Sequence, residues 1–386
     1  MINITRLAGG TPSVSAALQA VSHPAGADTR PSFRPLVVLN LTQRCNLGCS
    51  HCYLDSADRS YANELSRGEI ESIIDDCQRL EVPVLLLSGG EPLLYKDIYR
   101  VIAYAKQHGI RVGLSTNGTL ISRQTAAALA ESGVDYVGVS IDGRKTLHDA
   151  FRNQSGAFDK AMAGIIHCLE KGIKTGIRFT INQRNAADLW PVIDLCVQEK
   201  IPRFCMYHLV YAGRGKALQN DDIDNPARRA LVTRLIETAQ QQTAAGAALE
   251  ILTVDNHADG IFLYHQILRQ DPARAAHVLQ LLGMHGGCSA GTKFVDITPD
   301  GTVYPCQFWH QEKLGNVRER SFASLWRDDG CGLLCRLRSK ASQLKGRCGR
   351  CRYKQYCGGC RVRAAVVYND FWAEDPCCYL TDEEIS

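Results

Sequence analysis

Short apolar runs alternate with amphipathic stretches along the first two thirds of the chain. Residues 36–41, 84–88, 111–115, 135–141, 174–181 and 203–208 are apolar, bounded runs of strand length. Between them apolar residues recur at helical spacing near 66–80, 96–108, 122–132, 158–172 and 187–199, and a further helix is expected over 226–245. The boundary signals agree. Ser66-x-x-Glu69 is a capping box, and Gly109, Gly133 and Gly172 stand where helix C-terminal caps belong. Strand–helix alternation implies βαβ units and a parallel sheet. Six units make an α/β fold of the incomplete (β/α)6, TIM-like barrel kind. In such barrels the chemistry sits on loops at the C-terminal ends of the strands.

The rhythm changes after residue 245. A short strand at 249–254 precedes one long helix over roughly 260–283. A hairpin follows at 293–298 and 302–305, turning on Pro299-Asp300-Gly301. The expected organisation is therefore an irregular segment at 1–35, a barrel at 36–245, a bridging region at 246–285 and a cysteine-rich domain at 286–386. Residues 8–35, rich in Gly, Pro, Ser and Ala, read as an irregular lead-in or a lid.

Composition narrows the class. The chain is 45% hydrophobic and 22% charged, ordinary values for a globular protein. A net charge of +4 with no basic run argues against a nucleic-acid partner. No apolar stretch is long enough for a membrane span, and the first residues lack the apolar core of a signal peptide, so a cytoplasmic location is expected. The seventeen cysteines then change the picture. In a reducing compartment clustered cysteines are metal ligands or catalytic groups rather than disulfides. Cys77, Cys168, Cys196 and Cys205 stand singly in apolar patterns and read as core packing. Cys331-x3-Cys335 reads as packing on a helix.

Cys45-x3-Cys49-x2-Cys52 follows directly on the first strand, at the active end of a barrel. Three thiolates do not complete a tetrahedral zinc site, and only His51 stands near as a fourth ligand. On a four-iron cluster, three cysteines leave one iron open. Together with His51-Cys52-Tyr53, this spacing resembles the signature of the radical S-adenosylmethionine superfamily. Ser88-Gly89-Gly90-Glu91-Pro92 after the second strand, Ser115-Thr116-Asn117-Gly118 after the third and Ser140-Ile141-Asp142-Gly143 after the fourth strengthen the resemblance. It implies that Cys45, Cys49 and Cys52 hold a 4Fe–4S cluster that chelates and reductively cleaves S-adenosylmethionine to a 5′-deoxyadenosyl radical. It also implies cofactor contacts from Gly89, Gly90 and Glu91 to the amino group and from Ser140 and Asp142 to the ribose hydroxyls, with Asn117 a further cofactor contact. Asn-Gly and Asp-Gly are also plain turn signals.

The C-terminal run Cys348-x2-Cys351-x5-Cys357-x2-Cys360, the terminal Cys377-Cys378 and the upstream Cys288-x12-Gly301-x4-Cys306 resemble the auxiliary-cluster extension called the SPASM domain. Soft thiolates also suit a four-cysteine zinc ribbon, which spacing alone does not separate. The resemblance implies that Cys348, Cys351, Cys357 and Cys378 bind a second 4Fe–4S cluster and that Cys288, Cys306 and Cys360 serve a further one. The run departs from the family pattern by one residue, two rather than three between Cys357 and Cys360.

Five further stretches, 204–215, 253–260, 307–309, 314–318 and 379–385, resemble the haem-forming branch of the superfamily. One member of that branch oxidatively decarboxylates two propionates of iron-coproporphyrin III to vinyl groups, forming haem b. Another, in haem d1 formation, acts on propionates of didecarboxysirohaem. The stretch 202–215 is closer to the first. The resemblance implies an iron-porphyrin substrate and a reducing partner such as ferredoxin or flavodoxin. Arg178 and Arg214 are candidates for its carboxylates, and His208 and His257 for its iron or edge. Peptide maturation is the competing class, but residues 1–35 are too few for the peptide-binding module that such enzymes carry before the barrel.

Overall fold

The computed structural model describes residues 1–9 and 33–386. The expected lead-in or lid over residues 8–35 lies mostly outside the described residues. Of the segment read as irregular, residues 2–9 are ordered: Ile2–Asn3 (β1) and a helix over Ile4–Gly9.

All six expected barrel strands are present: Leu36–Asn40 (β2), Val84–Ser88 (β3), Arg111–Thr116 (β4), Tyr136–Ser140 (β5), Thr175–Ile181 (β6) and Arg203–His208 (β7). Each is mostly buried, because a parallel sheet covered by helices has no wet face. Glu250–Val254 (β8), which the sequence pattern puts in the bridging region, pairs parallel with β7. Phe294–Ile297 (β9) pairs parallel with β2, Val37 opposite Val295, so the C-terminal region extends the barrel sheet. Thr302–Tyr304 (β10) and Gly315–Asn316 (β11) continue it antiparallel, and β1 lies antiparallel on β8 at the other edge. The strand order is β1-β8-β7-β6-β5-β4-β3-β2-β9-β10-β11, an open barrel.

The parallel register aligns the C-terminal strand ends. Asn40 lies beside Ser88, Ser140 beside Arg178, and Ile181 beside His208. The loops that leave these ends therefore meet on one face.

Helices differ from expectation in two places. The single helix expected over 260–283 is two, Ala258–Leu268 and Pro272–His285. Asp271 caps the second, accepting from the Arg274 amide, and Pro272 sits in its first turn, where a missing N–H costs nothing. A helix at Lys145–Arg152, absent from the pattern reading, fills the loop after β5. The Ser66 capping box forms as expected, and Arg318 from the C-terminal region reaches Glu69 at 2.6 Å. Cys77, Cys168, Cys196 and Cys205 are buried in the core. Cys335 is exposed instead, while Cys331 precedes its helix and packs partly on the core.

Candidate functional site

The loop after β2 carries Cys45, Cys49 and Cys52 into one cavity at the C-terminal end of the barrel, with about 1000 Å³ of open space. Several elements hold this loop. Cys45 N–H donates to Ala57 O at 3.1 Å, and Gly48 and Ser50 N–H donate to Arg152 O and Phe151 O. Arg214 clamps the loop from β7's far side. Its N–H donates to Cys52 O at 2.9 Å, its Nε to Cys49 O at 2.8 Å and its Nη1 to Ser56 O at 3.0 Å. Arg214, the sequence reading's candidate for a substrate carboxylate, gives its Nε and Nη1 to the cluster loop, while its Nη2 is buried without a partner.

The three thiols fit a metal cluster. Burial pushes the Cys45 thiol up to about 12 and the Cys49 thiol above its ordinary value, so a thiolate here needs metal to hold it. Polar hydrogens already face the sulfurs: Arg152 Nη1 lies 3.4 Å from Cys49 Sγ, Ser56 N 3.4 Å from Cys52 Sγ and Asn117 Nδ2 3.9 Å from Cys45 Sγ. Such donors stabilise charged sulfur.

Gly89 and Gly90 pass directly over the loop. Gly90 N–H donates to Thr42 O at 2.7 Å, and Glu91 N–H to Arg44 O at 2.9 Å. A Cβ on Gly89 would stand 2.4 Å from Thr42 O, and one on Gly90 2.3 Å from Arg44 O, both against backbone; Gly89 also has φ 139°. Only glycine allows this approach. Gly90→Ala is expected to displace the Cys45 loop: iron at the N-terminal site should fall while far-ultraviolet circular dichroism stays unchanged. Full iron retention would contradict this account.

Gly89, Gly90, Asn117 and Ser140 line the cavity. Glu91 and Asp142 stand behind its wall. Glu91 is wholly buried and accepts from Thr116 Oγ1 at 2.7 Å, Asn117 N at 2.8 Å and Leu93 N at 3.2 Å. Burial pushes its carboxyl up to about 7 against these bonds. It braces the strand ends that carry the cavity wall. Asp142 pairs with Arg152 and accepts from Thr180 N at 3.1 Å, with His51 Nε2 3.4 Å away.

Arg152 is the residue that the sequence reading missed. It lines the cavity and touches both Cys49 and Asp142. A signal existed: His148-x3-Arg152 puts two basic side chains one turn apart on a helix that directly follows Asp142. Tyr207, Asp255, Gln307 and Phe308 also line the cavity unforeseen. The last two come from the C-terminal domain, so both domains build the site.

Arg178 lines the cavity, contacts the Ser115 hydroxyl and lies 4.8 Å over the Tyr207 ring. It forms no ion pair with an acidic side chain among the described residues. His208 lines the cavity too, whereas half-buried His257 is not part of its lining, and desolvation drives its basicity well down.

A second, much smaller space is lined by Cys348, Cys351, Cys357 and Cys378. Tyr353 N lies 3.3 Å from Cys351 Sγ and Asp375 N 3.4 Å from Cys348 Sγ. Four thiols with such donors around a shared space suit an iron–sulfur cluster. Cys377 turns away, with its Sγ 3.4 Å from Asp222 Oδ2. Cys306 and Cys360 share an apolar cluster around Trp309, and Cys288 N–H donates to Cys357 O at 2.8 Å. Burial drives the Cys306 thiol well up, and neighbouring Cys288 and Cys360 add to the effect. The buried pair Arg363–Asp375, 2.9 Å apart, joins this region to the barrel, since Arg363 also donates to Leu209 O and Asp255 O.

Comparison with known proteins agrees with this layout. The family described as the radical SAM superfamily matches residues 39–196. An iron-sulfur cluster-binding domain, SPASM, matches residues 288–360. Fe-coproporphyrin III synthase of Methanosarcina barkeri is 45% identical, over 100% of this chain and 99% of its own. Pre-heme d1 synthase of Dinoroseobacter shibae is 41% identical, over 91% and 87%. AdoMet-dependent heme synthase of Methanosarcina barkeri is 32% identical, over 89% and 95%. Among solved structures, Streptococcus suis SuiB bound to S-adenosylmethionine superposes with a TM-score of 0.71 over 95% of this chain and 87% of that one, at 21% identity.

Proposed function

The chain belongs to the radical S-adenosylmethionine superfamily, and on that premise we propose that it transforms carboxylated side chains of an iron tetrapyrrole in haem formation. It is an S-adenosylmethionine-dependent enzyme with 4Fe–4S clusters in both its barrel and its SPASM domain. When bound at Cys45, Cys49 and Cys52, cluster and cofactor together supply a carbon-centred radical able to take hydrogen from unactivated carbon.

Arg178 carries the reading. Arg178, half-buried in the cavity that the three thiols share, has no carboxylate in ion-pair contact among the described residues, although Asp255 lines the same cavity, and so has its guanidinium open to an anionic ligand. Its fork suits a carboxylate in two-point contact. Leu209, Val210 and Phe308 offer an apolar wall beside it, suited to a flat macrocycle. In this reading Arg178 binds a propionate, and Tyr207 keeps the guanidinium in place from below. Arg178→Gln is expected to weaken binding of iron-coproporphyrin III by about 10- to 100-fold, the worth of a charge-assisted contact. It should leave binding of the corresponding tetraester unchanged. Equal losses for acid and ester would remove the carboxylate role.

Iron-coproporphyrin III fits as substrate, with its propionates decarboxylated to give haem b. A second reading makes it the product. The relative at 45% identity is named for its synthesis, while the heme synthase stands at 32%. The identities favour this second direction. The test is anaerobic turnover with S-adenosylmethionine and a strong reductant, supplied separately with iron-coproporphyrin III and with didecarboxysirohaem. Haem b from the first supports the first reading, and iron-coproporphyrin III from the second supports the other. No mass change in either tetrapyrrole overturns both.

Cys348, Cys351, Cys357 and Cys378 are proposed to hold the auxiliary cluster, and Cys288, Cys306 and Cys360 a further one. Total iron of about eight per chain then means two clusters and about twelve means three. Stoichiometric zinc with about four irons would reassign the C-terminal set. The reading also includes a ferredoxin- or flavodoxin-type reductant and a cytoplasmic location. No helix among the described residues is long and apolar enough to cross a membrane.

A further inference from the structure

His208 ends β7 on the cavity wall, and only one of its ring nitrogens is used. Its Nε2 lies 2.8 Å from Asp259 Oδ2, and the other oxygen of Asp259 accepts from the Tyr379 hydroxyl at 2.7 Å. His208 is 1% exposed and Asp259 fully buried. His208 Nδ1 is buried without any partner.

The tautomer follows from this chain of contacts. Burial opposes ionisation of Asp259, but the adjacent His208 and the hydrogen bonds from His208, Thr253 and Tyr379 hold its carboxyl below the ordinary range. An ionised carboxylate only accepts, so Nε2 carries a proton, and in the neutral ring Nδ1 then presents a lone pair. A buried acceptor left empty costs free energy until something fills it. Its position adds the second observation. Leu209, Val210 and Phe308 form the apolar wall beside it, and Arg178 lines the same cavity.

Proteins orient a metal-binding imidazole in this way, with the far N–H held by a carboxylate that is itself hydrogen-bonded. We infer that His208 Nδ1 is the axial ligand to the iron of the bound tetrapyrrole, aimed by Asp259 and Tyr379. The inference rests on the tetrapyrrole reading above. It assigns His208 a task distinct from that of Arg178. Arg178 reads the carboxylate periphery, and His208 reads the metal and fixes the height and tilt of the macrocycle. His257, which does not line the cavity, has no part in it.

The test uses the holoenzyme and iron-coproporphyrin III, which is substrate in one reading and product in the other. Titration by absorbance first measures binding. No binding to the wild-type enzyme overturns the tetrapyrrole reading and this inference with it. With the compound bound, reduced and exposed to nitric oxide, electron paramagnetic resonance reports the axial ligand. Wild type is expected to show a six-coordinate nitrosyl with hyperfine splitting from a second nitrogen. His208→Gly should be five-coordinate, and added imidazole should restore the six-coordinate signal. Its affinity should drop for iron-coproporphyrin III but not for metal-free coproporphyrin III, a difference that simple unfolding does not produce. Asp259→Asn should keep the ligand and weaken iron-dependent binding by about tenfold. A six-coordinate nitrogen signal that persists in His208→Gly, or equal affinity losses with and without iron, overturns the assignment while leaving the tetrapyrrole reading intact.

Discussion

Replacing Cys45, Cys49 or Cys52 by alanine is expected to abolish 5′-deoxyadenosine formation. The three thiols lie in one cavity, and each has its own donor at the sulfur: Asn117 at Cys45, Arg152 at Cys49 and the Ser56 amide at Cys52. None can stand in for another, because the loop is fixed at several backbone points by Arg214 and by the end of the Lys145–Arg152 helix. Loss of one thiolate removes one of three anchors from a cluster whose remaining iron must stay open for the cofactor. The fold should survive, since the loop makes little of the main core. The measurement is 5′-deoxyadenosine by mass, with iron counted beside it. Wild-type cofactor cleavage in any one variant would sink the assignment of these residues.

Variants at the second site should behave differently. Cys348→Ala, Cys351→Ala, Cys357→Ala or Cys378→Ala is expected to leave 5′-deoxyadenosine formation largely intact while tetrapyrrole product falls steeply. In the haem b reading, decarboxylation of a propionate to a vinyl group leaves an electron behind. The cavity formed by these four thiols is suited to hold an acceptor for it. The two cysteine sets line different cavities, so removal of one need not empty the other. Ligation also contributes to the stability of the domain. Arg363 and Asp375, adjacent to this site, tie it to the ends of β7 and β8, so a collapsed domain would distort the substrate cavity as well. Circular dichroism and retention of the N-terminal iron therefore accompany the activity. A well-folded variant that lacks the second cluster yet forms product at the native rate would remove the electron-acceptor role.

Much of this molecule was legible from local sequence. Alternating apolar runs located β2 to β7, because a strand buried on both faces has to be apolar along its whole length. The Ser66 box and the glycine stops located helix ends, because capping is a contact between residues three or four apart. The cysteine motifs pointed to both cavities that the thiols line, because most of those cysteines lie close together in the chain. Gly89 and Gly90 were also visible, since a backbone approach without room for a Cβ admits only glycine.

What periodicity could not supply was partnership between distant residues. β8 and β9 are short, and nothing in a short apolar run says which edge it joins; pairing with β7 and β2 was decided by the sheet. Glu91 and Asp142 sit in motifs that read as ligand-facing, yet Thr116 and Arg152 turn their carboxylates inward. Arg214 looked wholly free, yet the cluster loop takes its Nε and Nη1 and leaves only Nη2 without a partner. His208 shows the limit most clearly. Its neighbours in the chain say nothing of its tautomer, which depends on Asp259, 51 residues away, and on Tyr379, a further 120 residues from Asp259. Sequence alone determined which chemical groups this protein brings and where its chain can bend to place them. Tertiary structure decided which of those groups satisfy one another and which are left open, because a buried polar atom is settled by whatever the fold packs against it.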